Sequence, residues 1–148
     1  MTKRFLFYCN ALMLLTSIHH VLGAYIYDTP WRLHILAFSI PVILLNIILN
    51  LKFRANKIAV YLLLAINFII TISLIGLFEG GYNHLVKNIL FFSGTPAEVM
   101  VRLFPPPTYV MPGNFIFEFT GVLQAFLCVP LLYFFVKVVK NSFRMLGG

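Results

Sequence analysis

The chain has 148 residues, of which 61% are hydrophobic and only 10% are charged, and its formal net charge is +7. Soluble domains are about half apolar and about a quarter charged. A mean hydropathy of +0.94 therefore excludes a soluble globular enzyme, a disordered chain and a disulfide scaffold. So few charges on so apolar a chain do not form a nucleic-acid groove, and we expect no nucleic-acid partner.

Four apolar segments are long enough to cross a bilayer, which takes about 20 residues of helix. They cover residues 5–27, 30–52, 57–78 and 115–136. Their apolar runs are continuous rather than alternating, which favours helices over strands. The sequence therefore predicts an all-α integral membrane protein with a single domain, 1–148, whose four transmembrane helices form an antiparallel four-helix bundle.

Residues with capping or helix-ending preferences mark the ends of these segments. Thr29 precedes a proline and is placed to cap the second helix, Asn56 the third, and Asn114 the fourth. Gly80-Gly81 follows the third apolar segment, as glycines do at helix C-termini. We therefore expect the third helix to end there.

The connection 79–114 is long for a structureless loop. Residues 82–92 have an amphipathic pattern that predicts a short helix, either on the membrane surface or folded back into the bundle. Thr95-Pro96-Ala97-Glu98 fits a capping box and predicts a second short helix that ends at the prolines 105–107. The sequence predicts a structured extracytoplasmic cap over 79–114, with a flexible loop as the alternative.

Basic residues are distributed unequally between the two ends of the predicted helices. One side holds eight basic residues and no acid, whereas the other holds three basic residues and all four acids, a net charge of −1. The positive-inside rule then places both termini in the cytoplasm of a multi-pass cell-membrane protein, most simply in a bacterial inner membrane. The eight basic residues are Lys3, Arg4, Lys52, Arg54, Lys57, Lys137, Lys140 and Arg144.

All four histidines and all four acids fall toward the predicted outer face. At 1.5 Å per residue, His20 lies about 10 Å inside its helix from that face, and Glu118 lies about 6 Å inside its own helix. An acid within a span costs roughly 2.5–3.5 kcal/mol, and such groups usually face the protein interior or a cavity. The candidate binding or proton-relay residues are Glu118, His20, His19, His34, Glu79, His84 and Arg32.

Imidazoles and carboxylates together suit a transition metal or a proton relay. For a metal, the predicted ligands are His20, His34 and Glu118, and a transition metal is the only cofactor that the residues indicate. The spacing matches no ligand motif such as His-Glu-x-x-His. The structural alternative is that Glu118 pairs with Arg32 or caps a helix while the histidines bond to carbonyl groups. No residue is assigned a catalytic role.

Three functions are compatible with this pattern. The first is a binding or accessory membrane protein with a His/Glu polar cluster at its outer face, whose partners are the lipid bilayer and another membrane protein. The second is a proton- or ion-coupled transporter or channel component that uses Glu118 and the histidines and would work as a homo-oligomer. The third is a metal- or His/Glu-dependent membrane enzyme acting on a lipid or quinone. We rank the enzyme last because the chain has no recognisable nucleophile constellation.

Overall fold

A computed structural model describes residues 3–52 and 56–146, and all their regular structure is helical. Arg54, counted above in the predicted cytoplasmic loop, lies outside the described residues. Helix α2 opens with a 3-10 turn, Pro30–Ile35, and continues as Leu36–Lys52. The other helices are α1, Lys3–Ile26; α3, Lys57–Phe92; α4, Ala97–Leu103; and α5, Phe115–Leu146.

Four of these helices are long and apolar enough to cross a membrane, namely α1, α2, α3 and α5. This confirms the prediction of an all-α chain with four spanning helices. Large apolar side chains lie exposed along them; Phe38, Leu44 and Ile47 of α2 are each about half exposed. Such a surface is unfavourable in water and fits a lipid environment, as expected of a multi-pass membrane protein.

The prediction that the third helix ends at Gly80-Gly81 is wrong, and so is the separate short helix over 82–92. Helix α3 is continuous from Lys57 to Phe92. A helix-ending glycine takes a positive φ, but Gly94 is the one glycine with positive φ in the described part of the chain. Gly80 instead lies against α5, where an added Cβ would be 2.5 Å from the backbone nitrogen of Ala125. It allows close helix packing rather than ending a helix.

The central part of α3, Asn67–Val86, is π-helical, so that backbone N–H groups pair with carbonyl groups five residues earlier. These wider turns keep positions four or five residues apart on one face. Buried residues therefore recur every four or five positions along the side of α3 that packs against α1 and α5. Its buried residues include Asn67, Thr71, Ile75, Gly80 and His84.

Helix α5 packs against α3 and α1, and α1 also packs against α2. An asparagine chain links three of the helices. The side-chain amide of Asn67 in α3 donates to Oδ1 of Asn46 in α2 at 2.6 Å, and Asn46 donates to Oδ1 of Asn10 in α1 at 3.0 Å. Interhelical hydrogen bonds of this kind contribute about 0.6 kcal/mol each on average.

Two of the three predicted caps are confirmed. Asn56 Oδ1 accepts from the N–H of Ile58 at 2.8 Å, and Asn114 Oδ1 accepts from the N–H of Phe117 at 3.0 Å. The cap predicted for Thr29 is wrong, since its side chain makes no capping bond. The Thr29 hydroxyl donates to the carbonyl of Gly23 and accepts from the guanidinium of Arg32.

The segment after α3 contains a short helix, α4, where one was predicted, but not the predicted capping box. The residue at the cap position is Pro96, and no side-chain bond closes the helix start. Besides the bonds at the end of α3, two side chains of that helix donate to residues further along the segment. The hydroxyl of Tyr82 donates to the carbonyl of Leu103 at 3.2 Å, and Nζ of Lys87 donates to the carbonyl of Val110 at 2.7 Å.

Candidate functional site

Three histidine rings surround one carboxylate oxygen. Oε1 of Glu79 lies 3.4 Å from Nε2 of His20, 3.7 Å from Nε2 of His84 and 3.8 Å from Nε2 of His19. The histidines are buried and Glu79 is partly buried. Helix α1 supplies His19 and His20, and α3 supplies Glu79 and His84. We call these four residues the Glu79 cluster.

Glycines allow the helices to approach each other at the cluster. A Cβ on Gly121 of α5 would overlap the His84 ring. A Cβ on Gly23 of α1 would lie 2.6 Å from the ring of Phe117, which itself stacks on His19 at a centroid distance of 4.2 Å. The rings can therefore meet only because these positions carry no side chain.

Helix α5 determines which ring nitrogen carries the proton in two of the histidines. Nδ1 of His84 lies 3.0 Å from Oε2 of Glu118, and an ionised carboxylate can only accept. Nδ1 of His19 lies 2.9 Å from the hydroxyl oxygen of Thr120, whose hydrogen is directed to the backbone carbonyls one turn earlier. In its neutral form each ring therefore carries the hydrogen on Nδ1 and presents Nε2 as an acceptor toward Glu79.

Acceptor atoms consequently face one another at the centre of the cluster. Nε2 of His19 and both ring nitrogens of His20 are buried without a hydrogen-bond partner. Buried acceptors without a donor are unfavourable by about 1–3 kcal/mol each. A cation at the centre would satisfy Nε2 of His19 and bind the acceptor atoms of Glu79 and His84 as well.

The spacing of these atoms suits a metal ion. One ligand atom from each of His19, Glu79 and His84 can be chosen so that all three lie within 4.8 Å of one another. Zinc binds histidine nitrogen and carboxylate oxygen at about 2.0–2.2 Å in a tetrahedron, which separates neighbouring ligand atoms by roughly 3.3–3.6 Å. The distances of 3.8 Å from Glu79 Oε1 to Nε2 of His19 and 3.7 Å to Nε2 of His84 are close to this separation.

The three residues gathered in this way differ from the predicted ligand set of His20, His34 and Glu118. His20 belongs to the Glu79 cluster but not to this set of three, and Glu118 lies on the far side of the His84 ring. His34 is exposed, and its Nδ1 lies 2.6 Å from the carbonyl oxygen of Trp31. The depth of a residue along a helix can be estimated from sequence, whereas helix rotation, which decides which side chains converge, cannot.

Glu118 pairs with Lys87 rather than with Arg32, the partner that the structural alternative assigned to it. Nζ of Lys87 donates to Oε1 at 3.1 Å, and the amide of Asn88 donates to Oε2 at 2.6 Å. Sequence reasoning did not identify Lys87 or Asn88 as site residues. Their spacing of three and four residues from His84 was the available signal, because such residues share a helix face.

Arg32 is 6% exposed and lies at the start of α2 beside the cluster. Its Nε donates to the hydroxyl of Thr29 at 2.9 Å. Its guanidinium carbon lies 5.0 Å from the ring centroid of Trp31 and 5.5 Å from that of Phe117. Within residues 3–52 and 56–146, no carboxylate oxygen lies within 4.0 Å of its nitrogens.

Two cavities flank the cluster. A cleft of about 190 Å³ is lined by Arg32, Glu79, His84 and the segment that follows α4. An apolar cavity of about 470 Å³ on the other side reaches Glu118 and Asn88 but none of the ligand residues. A small molecule would therefore approach the centre of the cluster through the cleft.

Comparison of the chain with protein-family models, with curated proteins and with solved structures gives no match.

Proposed function

We propose that the protein binds a divalent transition metal ion, zinc in the first instance, through His19, Glu79 and His84. One observation carries the proposal: ligand atoms from His19, Glu79 and His84 converge within 4.8 Å of one another, and Nε2 of His19 is buried there without a hydrogen-bond partner. Histidine nitrogen and carboxylate oxygen suit zinc and iron(II). The chain is then a binding protein whose site is the polar cluster expected from its sequence.

The partners of the two ligand histidines support this assignment. Histidines that bind metals nearly always donate the other ring N–H to a carboxylate, a carbonyl or another acceptor. His84 donates to Glu118, and His19 donates to Thr120. Each ring is thereby held in the tautomer and orientation that metal binding requires.

A metal-dependent enzyme is the second candidate, favoured by the number of ligands. Structural zinc sites have four protein ligands, whereas catalytic ones have three, such as two histidines and a glutamate, and keep one position open. The cleft borders Glu79, His84 and His20, so the open position would face it. A metal there would supply Lewis-acid chemistry, and His20 would lie beside the reacting group.

The transporter alternative needs a carboxylate that changes partners. Glu118 is instead held by Lys87, Asn88 and His84 together. These bonds favour a fixed role in orienting His84 over the role of a moving proton carrier.

For the surroundings of the site we propose an antiparallel bundle in a bacterial inner membrane, with both termini cytoplasmic. The asymmetry of eight basic residues against a net charge of −1 supports this orientation. The Glu79 cluster then lies near the extracytoplasmic face, beneath the segment 93–114 as a cap.

Elemental analysis of detergent-purified protein tests the metal site. We expect about one zinc per chain after reconstitution, and loss of that zinc in His19→Ala and His84→Ala. His34→Ala is the matched control, because this histidine borders the cleft but does not belong to the cluster. Size-exclusion elution and helical circular dichroism establish that each variant is folded.

Cobalt provides a second measurement, because a tetrahedral cobalt(II) site absorbs visible light far more strongly than an adventitious octahedral surface ion. The proposal is overturned if wild-type protein loaded with cobalt lacks this intense absorption, or if the folded His84→Ala variant keeps full zinc stoichiometry.

A further inference from the structure

The buried side chain of Arg32 has no carboxylate oxygen within 4.0 Å of its nitrogens in the described part of the chain. Of its five N–H donors, only the one on Nε has an acceptor, the hydroxyl of Thr29. The described residues offer no acceptor to the two terminal nitrogens. A charged side chain in a span is costly, and such residues mark functional sites by default.

The groups nearest to Arg32 do not supply the missing negative charge. Glu79 acts on it only from beyond 4.0 Å, and in the proposed function its carboxylate is a ligand of the metal. Burial, with the nearby carboxylate of Glu118, raises the pKa of the Tyr27 phenol, which therefore remains neutral. The rings of Tyr27, Trp31 and Phe117 offer only their faces to the guanidinium.

We propose that the cleft binds a phosphate group, with the guanidinium fork of Arg32 on two of its oxygens and a third directed to the metal. The position of the metal rests on the proposed function above. Arg32, Glu79 and His84 all line the same cleft, so an anion held by the fork lies beside the ligand residues.

The number of oxygens favours phosphate over a carboxylate. The planar fork of arginine matches both groups in bidentate fashion. A carboxylate has only two oxygens, and the fork would use both, whereas a phosphate keeps further oxygens for the metal and for the amide of Asn83, which also lines the cleft.

The size of the cleft indicates how much of a ligand it holds. Pockets for drug-sized molecules measure roughly 300–1,000 Å³, so a volume of about 190 Å³ admits a head group and little more. Inorganic phosphate and the phosphate of a phospholipid share the chemistry that Arg32 would recognise, and the experiment must distinguish these sources.

Phosphorus NMR on cobalt-loaded protein tests the proposal, because cobalt(II) broadens the resonance of a phosphate bound beside it. The probes are inorganic phosphate and dihexanoyl phosphatidic acid, each titrated in the same detergent. We expect the broadening to be about tenfold or more weaker in Arg32→Gln, because this substitution removes charged hydrogen bonds. In Arg32→Lys the broadening should be only partly retained. Arg102→Gln, at an exposed arginine of α4, is the matched control and should behave as wild type.

The outcomes separate this proposal from the metal site. Cobalt absorbance without broadening in wild type overturns the phosphate site and leaves the metal site standing, whereas absence of the absorbance contradicts the metal site first. Equal broadening in folded Arg32→Gln, or displacement of phosphate by equimolar acetate, also overturns the proposal. Broadening of phosphatidic acid alone identifies a lipid head group, broadening of inorganic phosphate alone identifies free phosphate, and broadening of both shows that the shared phosphate group is sufficient; each of these results supports the proposal.

Discussion

Thr120 orients His19 through a single hydrogen bond. Its hydroxyl hydrogen is directed to backbone carbonyls of α5, which leaves the oxygen as an acceptor for Nδ1 of His19 at 2.9 Å. Glu118 has the same role toward His84, but it also balances the buried charge of Lys87. Thr120 is therefore the residue at which orientation can be tested without creating an unpaired charge.

We expect Thr120→Val to lower zinc affinity about 10–100-fold, because valine keeps the shape of threonine but cannot accept from His19. Thr120→Ser retains the hydroxyl and should retain the affinity. The measurement is competition for zinc against a chelator of known affinity. Thr71→Val is the control, since Thr71 bonds to Asn67 in a separate network. Equal affinity in the valine and serine variants would contradict the orienting role of Thr120.

At the residue scale, the sequence predicted which residues belong to the site better than it predicted how their side chains are arranged. Glu79 and His84 were identified as candidates because they follow the predicted third span, at the outer face where all the acids and histidines fall. Thr120, Lys87 and Asn88 were missed because polar side chains of these types are common near helix ends and carry no signal by themselves. Their roles depend on which faces of α3 and α5 meet, which only the packed structure determines.

At the scale of elements, α3 controls the site because it carries both Glu79 and His84 on an uninterrupted helix. The helix was predicted to end at Gly80-Gly81 because glycine at the end of an apolar run is the usual stop signal. Local sequence does not distinguish a glycine that ends a helix from one that allows a neighbouring helix to approach. The two glycines differ only in what surrounds them in the folded chain.

The two adjacent glycines should therefore respond oppositely to alanine. Gly80→Ala places a Cβ 2.5 Å from the backbone nitrogen of Ala125, and such overpacking costs roughly 1–3 kcal/mol. Gly81→Ala meets nothing closer than 3.7 Å and should be neutral or stabilising by up to about 1 kcal/mol through helix propensity. Unfolding by SDS in mixed micelles measures both free energies. Similar destabilisation by both substitutions would contradict the close packing of α3 and α5 at Gly80.

At the scale of the whole molecule, charge and chemistry are separated along the helices. The Glu79 cluster, Arg32 and the Lys87–Glu118 pair lie at the end of the spanning helices that carries the net charge of −1. The opposite end holds eight basic residues and no acid. Composition and hydropathy were sufficient to predict four spanning helices, since these depend on sums over about 20 residues. The orientation of those helices in the membrane follows from the charge asymmetry and needs its own test.

Cysteine labelling in intact cells tests that orientation. Glu98 of α4 and Lys140 of α5 are both exposed and lie toward opposite ends of the spanning helices. We expect a membrane-impermeant maleimide to label Glu98→Cys in intact cells, and Lys140→Cys only after lysis, because basic segments stay in the cytoplasm. Wild-type protein is the control, since Cys9 and Cys128 are 0% and 1% exposed and should react little. The reverse pattern would place the Glu79 cluster at the cytoplasmic face, so that its metal and any phosphate ligand would come from the cytoplasm.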